Sequence, residues 1–486
     1  MSTFGKSKLP AKATSKAVAK SDRGLPPSPR VATVEEAQAF LDAHPHIVYF
    51  EILFTSMTGV PRGKRLRRHE LLPIYEYGRF LPGSILVVDT LGADCEDTGL
   101  VWEDGDADRV ARPVPGTLVP APWLGDDVGQ VMLSLYELDG TPNDLDPRHV
   151  LQGVLDRYAA DGLTPVVACE LEYYLVDIER GHDGKLRPAT SFNTDETPKG
   201  TQVYGLPEIE QHGAFFRQLW ETADAQNIPL EGAISEFAPG QVELTLKHKP
   251  DALRAADDAV MYKRLAKGVA LSLGIEATFM AKPWSDRAGS GFHVHISVAD
   301  RDGQNLCASE DPQGSKLLHT MIGGMKDHLA DCMGILAPGA NSYKRFKANS
   351  YAPVGLTWGV NNRTVSLRVT AGPAHTRHVE HRVAGADANP YLVLAAILAC
   401  AHHGITQKTD PGPAVTGNGY AAAAESGAIL PTNWFAAIDY LDKSKVLRDY
   451  LGDRFIDMYV KVKRTEQARF FEEITELDYD WYLRNA

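Results

Sequence analysis

The sequence predicts an α+β fold, because strand-like and helical patterns are both present but do not alternate as regular β-α-β units. Up to about residue 142 the pattern is mostly strand-like and is interrupted by Pro and Gly. Beyond it, long amphipathic helices are mixed with short strands, and no segment repeats at a fixed period. We therefore expect a small β-rich domain over residues 31–142 and a larger α+β domain over residues 143–486.

A basic segment precedes the first predicted domain. Residues 1–30 contain one acid, Asp22, and seven cations: Lys6, Lys8, Lys12, Lys16, Lys20, Arg23 and Arg30. A transit peptide would favour arginine and amphipathic spacing. The composition instead favours a flexible basic tail.

Composition excludes several classes of protein. A net charge of −13 argues against a general nucleic-acid binder. The 5 cysteines are scattered, without a C-x-x-C motif, which predicts reduced thiols and a cytoplasmic location. The longest apolar helical run, "YLVLAAILACA" from Tyr391, is far short of the ~20 residues that span a bilayer, so we expect no membrane association.

The first predicted domain begins with a hairpin. "HIVYFEILFTSMTGVPRGKRL" indicates two strands joined by a turn near Thr58–Gly59. "LPGSILVVDT" and "GQVMLSLYELDGTP" indicate further strands.

Helix signals mark the second domain. Asp146 followed by Pro147 is typical of an N-cap with proline at the first helical position, and apolar residues then recur at helical spacing. Further helices are predicted over the apolar repeat at 215–223, over "ALRAADDAVMYKRLAKGVALSLG", and after Asn389–Pro390.

Polar residues occupy one face of four otherwise apolar strands. In "VVACELEYYLVD" (166–177), Glu170 and Glu172 point to the same side, because side chains two apart on a strand share a face. The same alternation predicts three further sets, namely His293, His295 and Ser297; Glu380 and Arg382; and Glu236, followed after a Pro-Gly turn by Glu243 and Thr245.

Taken singly, each of these strands is best explained as a solvated sheet face. Together these polar faces are rich in Glu and His, and no lysine is interspersed among them until Lys247. Solvated sheet faces normally mix positive and negative side chains. Converging glutamates would repel one another and lose hydration, and bound divalent cations remove both penalties. Carboxylates with few imidazoles favour Mg²⁺ or Mn²⁺ over zinc.

Arginines near these strands indicate phosphate chemistry. No P-loop is present, and "GVPRGKR" has the wrong spacing. Arg345, Arg363, Arg368 and Arg382 are therefore candidates for holding phosphates beside the metal ligands, the arrangement that phosphoryl transfer needs.

The combined motifs resemble the glutamine synthetase family. From about His46 to the C-terminus the order is E-L-E at 170–172, "EFAPGQVE" at 236–243, "GSGFHVHIS" at 289–297, "NSYKR" at 341–345, "NRTVSLR" at 362–368, and "EHR" at 380–382 followed by "NPY". No single motif is specific, but the ordered set is.

This resemblance implies an N-terminal β-grasp domain and a larger catalytic domain with a curved antiparallel sheet and helices. It implies active sites between neighbouring subunits of a ring, in a homododecamer of two stacked hexamers. ATP would phosphorylate the side-chain carboxylate of glutamate, and an amine would attack the γ-glutamyl phosphate. Two or three Mg²⁺ or Mn²⁺ ions would assist at each site.

The resemblance also implies roles for individual residues. The first metal would be held by Glu172, Glu236 and Glu243, and the second by Glu170, His293 and Glu380. His295, Arg363 and Arg368 would hold phosphates, and Glu231 and Ser297 would lie on the nucleotide side. Arg345 would clamp the α-carboxylate of glutamate, Gly289 would meet its amino group, and Arg382 would lie near its γ-carboxylate.

Two departures from the family bear on the amine. The family's F-T-D-x-x-G turn reads "FTSMTG" here, with Ser56 in place of the aspartate. Its P-G-Y-E-A-P flap reads "ANSYAP", with Tyr351 in place of the glutamate. Both missing carboxylates serve ammonium in the family.

The departures favour an ATP-dependent glutamate–amine ligase similar to the γ-glutamylpolyamine synthetase branch, with putrescine as the first candidate amine. An ammonium-using glutamine synthetase is the alternative. A non-catalytic scaffold or regulator is less favoured, because all the implied metal ligands are present. The sequence identifies neither the amine nor any regulation, adenylylation included.

Overall fold

The structure is a computed structural model that describes residues 30–181 and 184–486. The predicted basic tail lies outside the described residues, except for Arg30. The N-terminal part contains the elements α1 (Val34–Ala43), β1 (Tyr49–Thr55), β2 (Pro61–Arg67), α2 (Leu71–Tyr77), β3 (Arg79–Pro82), β4 (Asp108–Pro113), β5 (Val119–Pro120) and β6 (Val128–Tyr136).

These strands form one sheet in the order β2-β1-β6-β4-β3, with β5 paired to β6. The predicted hairpin is confirmed: β1 and β2 are antiparallel, and Gly59 adopts φ +81° in the turn between them. β1 also runs parallel to β6, which confirms a strand in "GQVMLSLYELDGTP".

The strand predicted over "LPGSILVVDT" is wrong beyond its first residues. β3 ends at Pro82, and a 3-10 turn covers Gly83–Leu86. Leu86 and Val87 are buried at 0% and 1% exposure, so their apolar character reflects core packing and not strand pairing.

The larger part begins with α3 (Pro147–Ala160) and β7 (Thr164–Asp177). The elements after β7 are, in order, α4 (Leu206–Gln211), α5 (Gly213–Ala225), β8 (Leu230–Ser235), β9 (Gln241–Leu246), α6 (Ala252–Ser272), β10 (Ile275–Thr278), β11 (Phe292–Ala299), α7 (Lys316–Asp327), α8 (Leu329–Leu336), β12 (Trp358–Val360), β13 (Leu367–Val369), β14 (Val379–His381), α9 (Pro390–Gln407), α10 (Gly419–Ser426), α11 (Trp434–Lys443), α12 (Lys445–Leu451), α13 (Asp453–Glu472) and α14 (Glu476–Tyr482). The larger part thus ends with six helices, α9 to α14.

The predicted helix starts are confirmed. Asp146 caps α3 by accepting a hydrogen bond from the Arg148 amide at 2.9 Å, with Pro147 in the first turn. Asn389 caps α9 in the same way, accepting from the Tyr391 amide. These side chains satisfy amides that the first helical turn leaves without partners.

A second sheet has the order β12-β13-β14-β11-β7-β9-β8, with β10 paired to β7. Its strands are antiparallel except β12 and β13. The four strands with polar faces, β14, β11, β7 and β9, are consecutive neighbours. Their apolar faces join the helical core, where Leu171, Phe292 and Val294 are all 0% exposed.

The two sheets divide the chain between β6 and α3. The boundary at residue 143 stays a prediction, although it falls in this connection. None of the described helices is both long and apolar enough to cross a membrane.

Candidate active site

Strand register brings the polar side chains onto one face. His293 lies opposite Glu170, His295 lies opposite Glu380, and Glu172 lies opposite Glu243. Directly opposed residues of antiparallel strands point to the same side of a sheet. The polar faces predicted on separate strands therefore form a single cluster.

The two imidazoles contact the carboxylates closely. His293 Nδ1 lies 2.6 Å from Glu170 Oε1, and His295 Nε2 lies 3.3 Å from Glu170 Oε2. His293 Nε2 is 3.7 Å from Glu172 Oε1, and His293 Nδ1 is 3.6 Å from Glu380 Oε1. Glu170 is thus at the centre of the cluster.

Two groups of side chains place their ligand atoms within 4.8 Å of one another: Glu170, Glu243 and His293, and Glu170, His295 and Glu380. Both groups contain Glu170, so two adjoining ion positions would share it. The predicted division of the ligands between a first and a second metal differs from these groups and stays a prediction.

The carboxylates cannot all be ionised without added positive charge. Burial, followed by the charges of Glu170 and Glu172, raises the pKa of Glu243 to about 11. Burial and then Glu172 raise the pKa of Glu236 to about 7. Oxygen donors held in this state fit a divalent cation, which would displace the protons.

Other members of the cluster titrate in the opposite direction. Burial would raise the pKa of Glu170, but hydrogen bonds from His293 and His295 outweigh it and hold that pKa well below its usual range. Burial also opposes ionisation of Glu380, yet Arg382 and then His293 lower its pKa to about 2.

Gln241, the first residue of β9, orients Glu172 and was missed by sequence reasoning. Gln241 Nε2 donates to Glu172 Oε2 at 3.3 Å and to the Gly289 carbonyl at 3.0 Å. The Gly291 amide donates to the same carboxylate oxygen at 2.8 Å. Gln241 lies two residues before Glu243, so both side chains point to the same face of the strand. This spacing was the signal available in the sequence.

The candidate arginines differ in their surroundings. Arg368 Nη1 donates to Glu380 Oε2 at 2.7 Å, and Arg382 contacts the other oxygen of Glu380. Arg345 is 3% exposed, and burial lowers its pKa. Arg363 is exposed and acts electrostatically on Glu236.

Gly289 lies directly against Arg345. A Cβ at position 289 would come within 2.4 Å of Arg345 Cγ and 2.9 Å of the Ala281 carbonyl oxygen, so a larger residue does not fit. The predicted neighbours of one substrate are therefore adjacent in the structure.

A second missed residue supports His295. His378 Nε2 lies 3.0 Å from His295 Nδ1, and His378 Nδ1 lies 2.7 Å from the Thr376 carbonyl oxygen. Because that carbonyl accepts the Nδ1 proton, Nε2 of neutral His378 accepts a hydrogen bond from His295. No periodicity in the sequence links residues 295 and 378.

The nucleotide-side candidates lie at the margins. Ser297 is half-buried on the same face of β11 as His295. Glu231 is exposed on β8, and its carbonyl accepts a hydrogen bond from Trp220 Nε1 at 3.2 Å.

Ser56 and Tyr351 are not brought together within the chain. Ser56 is 0% exposed, its hydroxyl bonds to Thr58 at 3.0 Å, and its carbonyl accepts from Asn389 at 3.1 Å. Tyr351 is 60% exposed, in a loop where it adopts φ +59°.

Comparison with known proteins identifies the family. Residues 144–482 match the glutamine synthetase catalytic domain. The protein belongs to the glutamine synthetase family, which confirms the resemblance predicted from its motifs.

Individual relatives match along nearly the whole chain. Gamma-glutamylputrescine synthetase PuuA of Escherichia coli (strain K12) is 39% identical over 94% of this chain and 96% of its own length. Gamma-glutamylethanolamide synthetase GlnA4 of Streptomyces coelicolor is 31% identical over 93% and 95%. A solved GmaS/ADP complex superposes with a TM-score of 0.80 at 27% identity, covering 93% of this chain and 100% of that one.

Proposed function

We propose that this protein uses ATP to ligate the γ-carboxylate of glutamate to a primary amine, and that the amine is putrescine. The proposal rests on one observation: Glu170, Glu172, Glu243 and Glu380 surround His293 on a largely buried face of the second sheet. Oxygen-rich clusters of this kind hold divalent cations beside phosphates. The relatives named as γ-glutamylputrescine and γ-glutamylethanolamide synthetases support the ligation of amines.

The metal ligands in this proposal are Glu172, Glu236 and Glu243 for one ion, and Glu170, His293 and Glu380 for a second, with Mg²⁺ or Mn²⁺ as the ion and two or three ions in each site. When bound, these ions supply positive charge that stabilises the transferring phosphoryl group.

Protein side chains hold the reactants. Arg345, whose planar fork suits a carboxylate, binds the α-carboxylate of glutamate, and Gly289 leaves room for its amino group. Arg382 orients the γ-carboxylate. An oxygen of that carboxylate attacks the γ-phosphorus of ATP, the bond to ADP breaks, and γ-glutamyl phosphate forms.

Phosphate-binding groups complete the site. Arg363, Arg368 and His295 hold the phosphates, while Ser297 and Glu231 lie toward the nucleoside. The neutral amine then attacks the acyl carbon, the amide bond forms as the bond to phosphate breaks, and phosphate leaves with the proton that the nitrogen loses. The GmaS/ADP complex supports a nucleotide in this fold.

The identity of the amine rests on Ser56 and Tyr351. Ammonium is small and strongly hydrated, and each charged hydrogen bond that a carboxylate would give it contributes about 1.5–3 kcal/mol. Neither residue offers one. The exposed ring of Tyr351 instead suits methylenes or a distal ammonium, where a cation–π contact contributes ~0.5–2 kcal/mol.

Assembly and location extend the proposal. Ser56 is buried against Asn389 of its own chain, and in the proposed ring the turn that carries Ser56 borders the site of a neighbouring subunit. We propose a homododecamer of two hexameric rings, which light scattering can test. The free thiols of Cys95, Cys169, Cys307, Cys332 and Cys400 support the cytoplasm as the compartment.

The decisive experiment compares kcat/KM for putrescine and ammonium at equal ATP, Mg²⁺ and glutamate. We expect putrescine to be preferred, and a higher value for ammonium would reject the polyamine proposal in favour of a glutamine synthetase. Spermidine, ethanolamine and a monoamine complete the panel. A preference for ethanolamine or the monoamine would keep the ligase and reject the distal-ammonium contact.

A pair of variants tests the role of the ring. Tyr351→Leu should raise the putrescine KM by about 2- to 30-fold, the equivalent of the cation–π energy. Tyr351→Phe keeps the ring face and is the matched control, with a KM near that of the wild type. Equal putrescine KM values for the two variants would show that the ring of Tyr351 does not contact the amine.

A further inference from the structure

A large cavity lies outside the carboxylate cluster. It has a volume of about 1180 Å³ and is bounded by the β1–β2 turn, α6 and the C-terminal end of α13. Aromatic and apolar side chains form much of its wall, among them Trp123, Phe279, Met280, Trp434 and Phe470. Such a volume accommodates a small organic molecule.

Most charged groups of the wall are already paired. Arg264 contacts Glu51, Lys463 donates to Glu466 at 2.8 Å, and Arg469 contacts Asp89. Each of these cations contacts a carboxylate, although Glu51 is shared between Arg264 and Arg65.

Two lysines of α6 are not paired in this way. Lys263 and Lys267 lie one helical turn apart, and both ammonium groups approach the ring of Phe279, at 5.4 and 5.8 Å from its centroid. Lys263 Nζ donates to the Ala386 carbonyl at 2.7 Å and to the Ala388 carbonyl at 3.3 Å. Within residues 30–181 and 184–486, neither lysine forms an ion pair with a carboxylate.

The surroundings of Lys263 show a deficit of negative charge. Burial and then repulsion from Lys267 lower the pKa of Lys263 to about 7. Asp387 attracts Lys263, but it also faces Arg345 and accepts a hydrogen bond from Ser342 at 2.6 Å. Glu473 lies at the exposed rim. One half-buried carboxylate, Asp387, is thus shared by half-buried Lys263 and buried Arg345, and the exposed Lys267 lies beside Lys263 at the cavity wall.

We propose that this cavity is a binding site for a small organic anion, in which a carboxylate or phosphate head lies between Lys263 and Lys267 and an apolar or aromatic body packs on Trp123, Phe279 and Met280. The head supplies the missing negative charge, and the walls remove the body from water. The cavity wall contains Asp387 but neither Arg345 nor any carboxylate of the cluster on the second sheet, so the cavity is a separate space that adjoins the proposed glutamate position.

Binding of three matched probes tests the proposal. Phenyl phosphate, phenylacetate and neutral 2-phenylethanol share one ring and differ in the head group. Affinities are measured by saturation-transfer NMR on the assembled protein, with saturating ADP, Mg²⁺ and glutamate so that the active site is filled. We expect both anions to bind and 2-phenylethanol to bind at least about tenfold more weakly. The tighter anion identifies the natural head group.

Variants locate the bound anion. Lys267→Met preserves the apolar stem and should weaken both anions by about tenfold or more. Lys461→Met, on the exposed face of α13, is the matched control and should leave the affinities unchanged. If Lys267→Met does not fold, Lys267→Gln replaces it.

Three results would overturn the proposal. The first is that 2-phenylethanol binds as tightly as the two anions. The second is that the Lys267 variant binds the anions as tightly as the wild type. The third is that neither anion binds to the assembled protein, as when a second copy of the chain fills the cavity. These measurements need no turnover, so their outcome is independent of the proposed ligase activity.

Discussion

Two buried charge clusters in this protein differ in whether their charges are balanced. Where α3, α6 and α9 meet, Arg148 binds Asp257 through two hydrogen bonds, of 2.8 and 3.0 Å. The Tyr391 hydroxyl donates to the same carboxylate at 2.7 Å. Asp257 outweighs the effect of burial and raises the pKa of Arg148, so the charge of Arg148 is balanced without any ligand.

The cluster on the second sheet is not complete. Its carboxylates outnumber the cations that contact them, and burial with mutual repulsion raises the pKa of Glu243 to about 11. A structural ion pair loses stability when one partner is removed, whereas a ligand site loses function. The difference identifies the second cluster as the one that needs cations from outside the protein.

The largest expected effect is on activity, from Glu172→Gln. Loss of one metal-binding carboxylate should lower kcat for ligation by more than about 10³-fold, because metal stabilisation of the phosphoryl group contributes several kcal/mol. Circular dichroism and Tm should stay near wild type. Glu276→Gln, on β10 beside the other end of β7, is the control. Near-normal turnover of Glu172→Gln at saturating Mg²⁺ would contradict the assignment.

A substitution in the Arg148–Asp257 cluster should lower stability and leave activity unchanged. Asp257→Ala leaves Arg148 as an uncompensated buried charge, so the free energy of unfolding should fall by about 3–5 kcal/mol in urea titrations. Ligation per folded molecule should persist. A Glu172→Gln variant that is destabilised as strongly as Asp257→Ala would remove the distinction between the two clusters.

Arg345 extends the comparison to a buried cation. Its Nη1 donates to the Val383 carbonyl at 3.0 Å, but its Nε has no hydrogen-bond partner in the described structure. Arg345→Lys loses the planar fork, so the glutamate KM should rise about 10- to 100-fold, the equivalent of one charged hydrogen bond. The ATP KM should stay within about twofold. Equal loss of both affinities would indicate a phosphate role instead.

The smallest expected effect is on the pH dependence of stability, through the protons that Glu236 and Glu243 hold. The pKa values of Glu236 and Glu243, about 7 and about 11, exceed the ~4.3 of an unfolded glutamate. The metal-free folded state therefore holds extra protons. Their contribution to stability is present below pH ~4.3 and is lost as pH rises through the folded pKa values, first near 7.

Mg²⁺ should reverse this loss by displacing the protons. The increase in Tm on adding Mg²⁺ should be larger at pH 8 than at pH 6, and about one proton should be released per site near pH 7.5. Calorimetry in two buffers of different ionisation enthalpy measures the release. Mg²⁺ binding without proton release would contradict the pKa values of the cluster.

Local patterns in the sequence determined the hairpin at Thr58–Gly59, the caps at Asp146 and Asn389, and the side of each strand on which the glutamates lie. Each of these features depends on residues within one helical turn or one strand, where spacing alone decides which side chains are adjacent. The family motifs, read in order, were specific enough to identify the glutamine synthetase family before any geometry was known.

Contacts between distant segments were decided only by the tertiary structure. Periodicity does not reveal that β14, β11, β7 and β9 are neighbours, that Gln241 and His378 orient Glu172 and His295, or that "LPGSILVVDT" leaves the sheet after Pro82. The pKa of Glu243 is raised because folding buries it beside other carboxylates. Lys263 and Lys267 likewise lie together at a cavity wall only because folding brings that wall together. Desolvation and Coulomb energies follow distance in space and not separation along the chain, which is why a sequence pattern cannot supply them.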